Sequence, residues 1–463
     1  MKGILKYYTA LIIILLSVSG AGSFELRIAG DKLSLHADKV PLQTILQRFT
    51  HHGIAIRIDP QINPEVIASF VDQDIQKGVD SILRSLDHVL IWESVKGSPG
   101  PLARLAEIQV FKPGKKGLMK QLGGRSNLVL AKNPVDGSLF VENEFLLRLS
   151  PGMSLIEFKR LLNHINGTVM DGNAALGIYK IRLPENSDVP ELVEKVTKFP
   201  GVQRAEPNYA YPISNPHREP DPDLIVPDSY NIPATAGSVP IAILDSGLDM
   251  DYGPDGLVPA SFDAMNPDES ISDSLGHGTQ MALIASGVIK PYGVPSEYAS
   301  QNPVIPIRVF DNNGFTSNFD IMRSIDFALI SGARLMSLSW GSETRSDFLE
   351  NSLEYANLRG IIIVASAGNA PTGKPVYPAA YSSVIGVGAL GPDGKLWKKS
   401  NYGDFVAVNA PGSASFPVGY KGDPGAYAGT SIPLHLWQII CHIIFSLILK
   451  QQNMNSLRQY TAI

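Results

Sequence analysis

Several apolar segments in the second half of the chain each lead into a residue that can take part in chemistry. Residues 239–244 are apolar throughout and run into Asp245, while residues 360–368 are apolar or small and run into Asn369. Uninterrupted runs of this kind are typical of strands buried on both faces of a parallel sheet. Open sheets of this class place their functional residues at the carboxyl ends of the strands.

The segments between these runs show helical spacing. The apolar run 304–310 is followed by a turn at 311–314 and then by apolar residues spaced for one face of a helix, namely Ile321, Ile325, Phe327 and Ala328. Repeated strand and helix patterns predict an α/β domain whose mostly parallel sheet is flanked by helices on both faces.

Two further segments place a histidine and a serine among small residues. His277 lies between two glycines at the start of an apolar helix, and Ser431 follows the pair Gly429-Thr430. Taken alone, Asp245 and His277 are equally explained as capping, turn or packing residues, and Asn369 as a turn residue after a glycine. Their occurrence together and in this order favours a catalytic constellation.

The four blocks Asp245-Ser-Gly, Gly276-His-Gly-Thr, Ser366-Ala-Gly-Asn and Gly429-Thr-Ser resemble the subtilisin family of serine proteases in order and content. The resemblance implies a serine endopeptidase with Asp245, His277 and Ser431 as its catalytic triad. It also implies that Asn369 is the oxyanion donor. These residue types suit the chemistry, because a hydroxyl needs a base to become nucleophilic and the tetrahedral intermediate needs a hydrogen-bond donor.

A short segment before Asn369 resembles the strand with which this family pairs its peptide substrate. An ordinary core strand is the alternative explanation. The predicted substrate-binding residues are Ser337, Leu338, Ser339, Trp340 and Gly341.

Residues 139–213 show a strand, helix, strand, helix pattern that closes in Gly201-Val-Gln-Arg-Ala-Glu-Pro-Asn-Tyr209. This stretch resembles the subtilisin prodomain, which implies an intramolecular chaperone and inhibitor whose tail occupies the active-site groove. A Pro-rich link at 214–229 follows as the exposed segment for processing. The catalytic domain is then predicted over 230–432.

Residues 24–95 alternate between strand and helix patterns and form a predicted small α/β module. The phrases 33–42 and 53–60 resemble the short amino-terminal module of secretins and TonB-dependent receptors, which implies docking to a cell-envelope partner. A generic small domain without a partner is the alternative. Residues 96–138 carry many turn signals and are interpreted as a linker. The fold class is therefore a subtilisin-like α/β catalytic domain preceded by two small α+β domains.

The first residues indicate the compartment. Two lysines precede a short apolar run that ends in small residues, which predicts a signal peptide over 1–22 and an exported protein, periplasmic or extracellular. An uncleaved anchor is the alternative. The single cysteine, Cys441, excludes an intrachain disulfide. A formal net charge of -5 gives no basis for nucleic-acid binding.

No cofactor is required by the expected mechanism. Asp249, Asp251 and Asp255 are acids on one predicted loop that could contribute to a calcium site, although scattered loop acids are usually solvated.

Residues 433–463 depart from the family pattern. Bulky apolar side chains stand where the family has a helix of small ones, which predicts overpacking and suggests a truncated or frame-shifted end. A membrane span over 432–449 is the less favoured alternative, because several polar residues interrupt it. Two functions follow: a secreted endopeptidase made as an autoinhibited precursor, or a catalytically impaired envelope protein that acts through its amino-terminal module.

Overall fold

The computed structural model describes residues 24–122, 127–219, 239–254, 256–267, 269–294, 301–421 and 424–435. The predicted signal peptide and most of the link 214–229 lie outside these ranges, as do nearly all residues of the tail 433–463. Within the described ranges, no helix combines the length and apolar character that a membrane crossing needs.

The amino-terminal region contains two sheets. Its elements are β1 (Phe24–Ala29), β2 (Lys32–Pro41), α1 (Leu42–His51), β3 (Ala55–Ile58), β4 (Glu65–Asp74), α2 (Ile75–Ile82), β5 (Asp87–Ser94), β6 (Ala103–Phe111) and β7 (Lys120–Gln121). One sheet has the order β1-β2-β4 and the other β5-β6-β3-β7. Both enclose one apolar cluster, in which Leu33, Leu42 and Phe49 have no exposed surface.

Strand β6 corrects the interpretation of residues 96–138 as a linker. It pairs antiparallel with β5 and parallel with β3, and Ile108 and Val110 are fully buried. Proline and glycine on both sides made this stretch resemble a connector, but two neighbouring strands supply its hydrogen bonds. The first sheet-forming region therefore extends beyond residue 95, to β7.

The second region carries a single antiparallel sheet covered by two helices. Its elements are β8 (Leu130–Lys132), β9 (Leu139–Leu149), α3 (Leu155–His164), β10 (Thr168–Asn173), β11 (Ile178–Arg182), α4 (Val189–Thr197) and β12 (Val202–Pro212). The strands are ordered β10-β11-β9-β12, and β8 also pairs with β9. Helix α3 begins at a capping box in which Ser154 and Glu157 bond each other's backbone N–H groups, a local signal already present in the sequence.

The third region carries the parallel sheet. Its elements are β13 (His217–Arg218), β14 (Ile241–Asp245), β15 (Phe262–Asp263), α5 (His277–Ala285), β16 (Val304–Arg308), β17 (Phe315–Ser317), α6 (Asn318–Ile330), β18 (Leu335–Leu338), α7 (Asp347–Leu358), β19 (Ile362–Ser366), β20 (Ile385–Leu390), β21 (Val406–Pro411), β22 (Ser413–Phe416) and β23 (Gly425–Ala428). Seven strands pair in parallel in the order β15-β16-β14-β18-β19-β20-β21.

Successive residues of β14 point to opposite faces of this sheet, as the strand geometry requires. Ala242 and Leu244 pack in one apolar cluster with residues of α6 and α7, whereas Ile241 and Ile243 pack in another with residues of α5. The predicted parallel sheet with helices on both faces is therefore confirmed. Strand β12 of the second region pairs antiparallel with β17 of the third.

Candidate active site

Asp245 and His277 meet at the carboxyl end of β14, an interior strand of the parallel sheet. Both side chains are fully buried, and Nδ1 of His277 lies 2.7 Å from Oδ1 of Asp245. An imidazole that donates its Nδ1–H to this carboxylate leaves Nε2 as the acceptor. Nε2 is buried and bonds to no described residue. The pair thus has the orientation that a general base requires.

Glycines allow the close approach that brings this histidine to the strand. Gly276, which precedes α5, has φ +81°, and a Cβ there would lie 2.2 Å from the carbonyl oxygen of Gly419. A Cβ on Gly278 would lie 2.3 Å from the carbonyl oxygen of Gly247, in the turn after β14. The Gly-His-Gly phrase is therefore required by packing on both sides of His277.

Asn369 is held by the residue that precedes Ser431. The Oδ1 atom of Asn369 accepts hydrogen bonds from the backbone N–H and the hydroxyl of Thr430, both at 2.9 Å. This fixes the amide so that its Nδ2 faces the other way and donates to the carbonyl oxygen of Asn215 at 3.0 Å. The structure thus joins Asn369 to the Gly-Thr-Ser block.

Ser431 is 2% exposed and stands directly before a 3₁₀ turn, Ile432–His435. Ile432 and Leu434 are buried in the apolar cluster that also contains residues of α5, the helix that begins at His277. Ile432, the last residue of the predicted catalytic domain, and Leu434, the first bulky residue of the predicted atypical tail, are therefore accommodated in the core. The remaining tail residues, from 436, lie outside the described part.

A segment of the chain itself occupies the groove beside these groups. We name residues 213–219 the cleft segment. On one side of it, Ile213 forms an antiparallel bridge with Trp340, and the N–H of Ser214 donates to the carbonyl of Ser339 at 3.4 Å. On the other side, strand β13 pairs antiparallel with β23. The cleft segment is thus bound by β-augmentation on both sides of Asn215.

The predicted substrate-binding residues divide into two groups. Ser337 and Leu338 belong to the core strand β18 and are fully buried, while Ser339 and Trp340 lie beyond its end and contact the cleft segment. At Gly341 a Cβ would meet the side chain of Val376 at 2.3 Å, so this position needs its small residue for packing.

Tyr420 lies at the site although no sequence pattern predicts it there. Its ring stands edge-on to the imidazole of His277, with ring centroids 6.1 Å apart, and its hydroxyl donates to Oδ1 of Asn215 at 2.5 Å. Burial, and then the negative charge of Asp245, raise the pKa of Tyr420, so its hydroxyl keeps its proton at neutral pH. A lone tyrosine in a loop of glycines carries no recognisable motif.

The phrase that ends the second region contacts two helix starts of the third. The carboxylate of Glu206 accepts hydrogen bonds from the Ser346 hydroxyl at 2.7 Å and from the N–H of Asp347 at 3.1 Å, at the beginning of α7. Oδ1 of Asn208 accepts from the N–H of Phe319 at 3.2 Å, at the beginning of α6. Unpaired N–H groups at helix starts favour such acceptors.

Of the three acids considered for calcium, the described structure engages one in a local hydrogen bond. Asp249 caps the short turn that follows it by accepting from the N–H of Asp251 at 3.1 Å, and Asp255 lies outside the described residues. Among the described residues, no group of three or more His, Cys, Asp or Glu side chains is arranged to hold a metal ion.

Comparison with known proteins decides the family. The model of the subtilase family matches residues 237–437, and thermitase of Thermoactinomyces vulgaris is 32% identical over 208 residues, which are 44% of this chain and 74% of thermitase. The chain belongs to the subtilase family. The thermophilic serine proteinase of Bacillus sp. strain AK1 is 27% identical to this subtilase over 59% of the chain and 70% of its own length.

The region before the catalytic domain has a match of its own. The model of the fervidolysin N-terminal prodomain matches residues 129–208 of this subtilase. The structure of fervidolysin from Fervidobacterium pennivorans, a keratinolytic enzyme, is similar to this chain with a TM-score of 0.51 and 22% identity. The match covers 68% of this chain and 56% of fervidolysin, and it supports the subtilisin-like fold. The predictions of a subtilisin-type serine endopeptidase and of a prodomain are confirmed. The resemblance of residues 24–95 to secretin modules stays a prediction.

Proposed function

We propose that this subtilase is an exported serine endopeptidase, made as a precursor in which its own prodomain closes the cleft. In this proposal Asp245, His277 and Ser431 are the catalytic triad and Asn369 is the oxyanion donor. The observation that carries the proposal is the hydrogen bond from Nδ2 of Asn369 to the Asn215 carbonyl. It presents a peptide carbonyl to the expected donor, near a histidine already bound to a buried aspartate.

The four groups have different tasks in hydrolysis. The Oγ of Ser431 attacks the peptide carbonyl carbon while Nε2 of His277 accepts its proton, and Asp245 stabilises the imidazolium. The carbonyl oxygen becomes an oxyanion that Asn369 stabilises. His277 then protonates the leaving nitrogen. In the second half of the reaction water attacks the acyl-enzyme and gives a proton to His277, which returns it to the departing Oγ of Ser431.

Docking through helix starts accounts for the inhibited precursor. Glu206 and Asn208 hold strand β12 against α7 and α6, and this strand runs directly into the cleft segment. The prodomain therefore fixes the position of the chain that enters the groove. Export accords with the amino-terminal pattern of residues 1–22, and it predicts that the mature protein lacks these residues.

The test compares the refolded full chain with Ser431→Ala. Brief trypsin treatment, followed by a trypsin inhibitor, nicks the prodomain link and opens the cleft before casein is added. We expect Ser431→Ala to lower casein hydrolysis more than about 10⁴-fold and to abolish any self-processing between Tyr209 and Tyr230. The exposed Ser382→Ala is the matched control and should remain active. Equal background hydrolysis by wild type and Ser431→Ala would contradict the enzyme proposal and favour the impaired envelope protein.

A further inference from the structure

The position of the cleft segment identifies one peptide bond at the site. Because Asn369 binds the carbonyl oxygen of Asn215, the bond presented for attack is the one that joins Asn215 to Pro216. Residues on both sides of this bond are paired with the cleft, as a substrate would be: Ile213 with Trp340 before it, and His217 with Ala428 after it.

Side-chain contacts hold the same register independently of the backbone. Tyr420 binds the amide of Asn215 on one side of the bond. Beyond it, the ring of His217 packs on Trp397 with centroids 5.4 Å apart, and its Nδ1 lies 3.0 Å from Nζ of Lys399. A shift by one residue would break all of these contacts and reverse the side-chain directions of the pairing.

Proline is the one residue whose nitrogen has no N–H and carries a ring carbon in its place. The leaving nitrogen must accept a proton from His277 as the bond to the Asn215 carbonyl carbon breaks. In Pro216 that nitrogen is flanked by two ring carbons, and the ring fixes its φ angle, so the approach of the imidazole and the rotation of the leaving group are both hindered.

We propose, on the basis of the function proposed above, that the cleft segment is a built-in substrate mimic whose bond at the oxyanion donor is Asn215–Pro216, and that Pro216 protects this bond from hydrolysis. Tyr420 is then a substrate-binding residue that contacts the side chain on the acyl side of the bond. The precursor stays closed until a bond elsewhere is cut, because its own bond in the cleft is resistant.

The experiment replaces this proline in the full-length chain. In Pro216→Ala the leaving nitrogen carries an N–H, so Ser431 attacks the Asn215 carbonyl, the carbon–nitrogen bond breaks, and the nitrogen leaves with the proton from His277. Intact mass and amino-terminal sequencing should then find a new amino terminus at position 216, formed at least about tenfold faster than in wild type. Pro212→Ala, which replaces the exposed last residue of β12 directly before the cleft segment, is the matched control and should leave the 215–216 bond intact.

Three further results test this proposal and separate it from the proposed function. The double variant Pro216→Ala, Ser431→Ala should not be cut, and cutting of it would overturn the proposal by revealing another protease. If Pro216→Ala keeps its 215–216 bond but hydrolyses casein after trypsin activation, the assignment of the bond is wrong while the enzyme proposal stands. If trypsin-activated Pro216→Ala and wild type hydrolyse no more casein than Ser431→Ala, the proposed function fails and this inference fails with it.

Discussion

Among the contacts that the chain before residue 230 makes with the catalytic domain, two regions differ in kind. The first is the end of β12, where Glu206 is 6% exposed and Asn208 is fully buried, and where side chains cap α7 and α6. The second is the cleft segment, where Asn215 is exposed and most contacts are backbone hydrogen bonds. Buried charge-assisted bonds are the stronger class. Affinity and inhibition are thus assigned to different residues: β12 docks, and the cleft segment blocks.

A charge within the prodomain supports the docking region. Glu144 accepts from Nδ2 of Asn208 at 2.9 Å, which leaves Oδ1 of Asn208 to cap α6. Burial raises the pKa of Glu144, but the charges of Lys180 and Arg182 and the hydrogen bonds of Asn208 and Arg182 outweigh it and lower the pKa to about 2. The carboxylate therefore remains ionised, as its role as an acceptor requires.

The largest expected effect separates catalysis from docking. Asn369→Ala should lower casein hydrolysis by the trypsin-activated enzyme about 10²–10³-fold, since loss of one oxyanion donor costs about 2.7–4 kcal/mol of barrier. Amide hydrogen exchange at Asp347 and Phe319 in the precursor should stay unchanged. The exposed Asn313→Ala is the control and should match wild type in both measurements. Faster exchange in Asn369→Ala would mean that the cleft contact also carries the docking.

A smaller effect is expected from the docking side. Glu206→Ala removes the acceptor at the start of α7, and a hydrogen bond to a charged group contributes about 1.5–3 kcal/mol. Exchange of the Asp347 amide should become about ten- to a hundredfold faster, measured in a Ser431→Ala background that prevents self-cleavage. Glu185→Ala, an exposed acid of the same region, should leave that exchange rate unchanged. If the Asp347 amide exchanged equally slowly with and without Glu206→Ala, the docking energy would have to come from other contacts of β12.

The smallest effect is a dependence on acid. Because the pKa of Glu144 in the folded protein lies below its ordinary value of 4.5, the stability that its carboxylate contributes is present above about pH 4.5 and is lost as pH falls toward 2. Between pH 6 and pH 4 this group alone should remove about 1 kcal/mol of prodomain stability. From pH 6 to pH 4 the thermal unfolding temperature of Ser431→Ala should therefore fall by a few degrees more than that of the double variant Glu144→Gln, Ser431→Ala. Parallel curves for the two proteins would refute this role of Glu144.

Local sequence patterns predicted much of the fold. The apolar run before Asp245 predicted the interior strand β14, and the glycines and apolar residues around His277 predicted the helix that begins there. Strand β6 was missed because turn residues flank it and its partners, β5 and β3, are separate segments of the chain. Tyr420 was missed for a related reason, since a single aromatic side chain has no local pattern and acquires its role only beside His277 and Asn215.

The family and the residues expected to do the chemistry could be predicted from short local motifs, because each of the four blocks needs its small residues for local geometry. The prodomain phrase that ends at Tyr209 could be predicted in the same way. Which bond meets Asn369 depends instead on contacts between distant segments of the chain. Glu206 and Asn208 fix the position of β12 on two helix starts, and the number of residues between them and the cleft then places Asn215 at Asn369. No local sequence pattern records the distance that these residues must span.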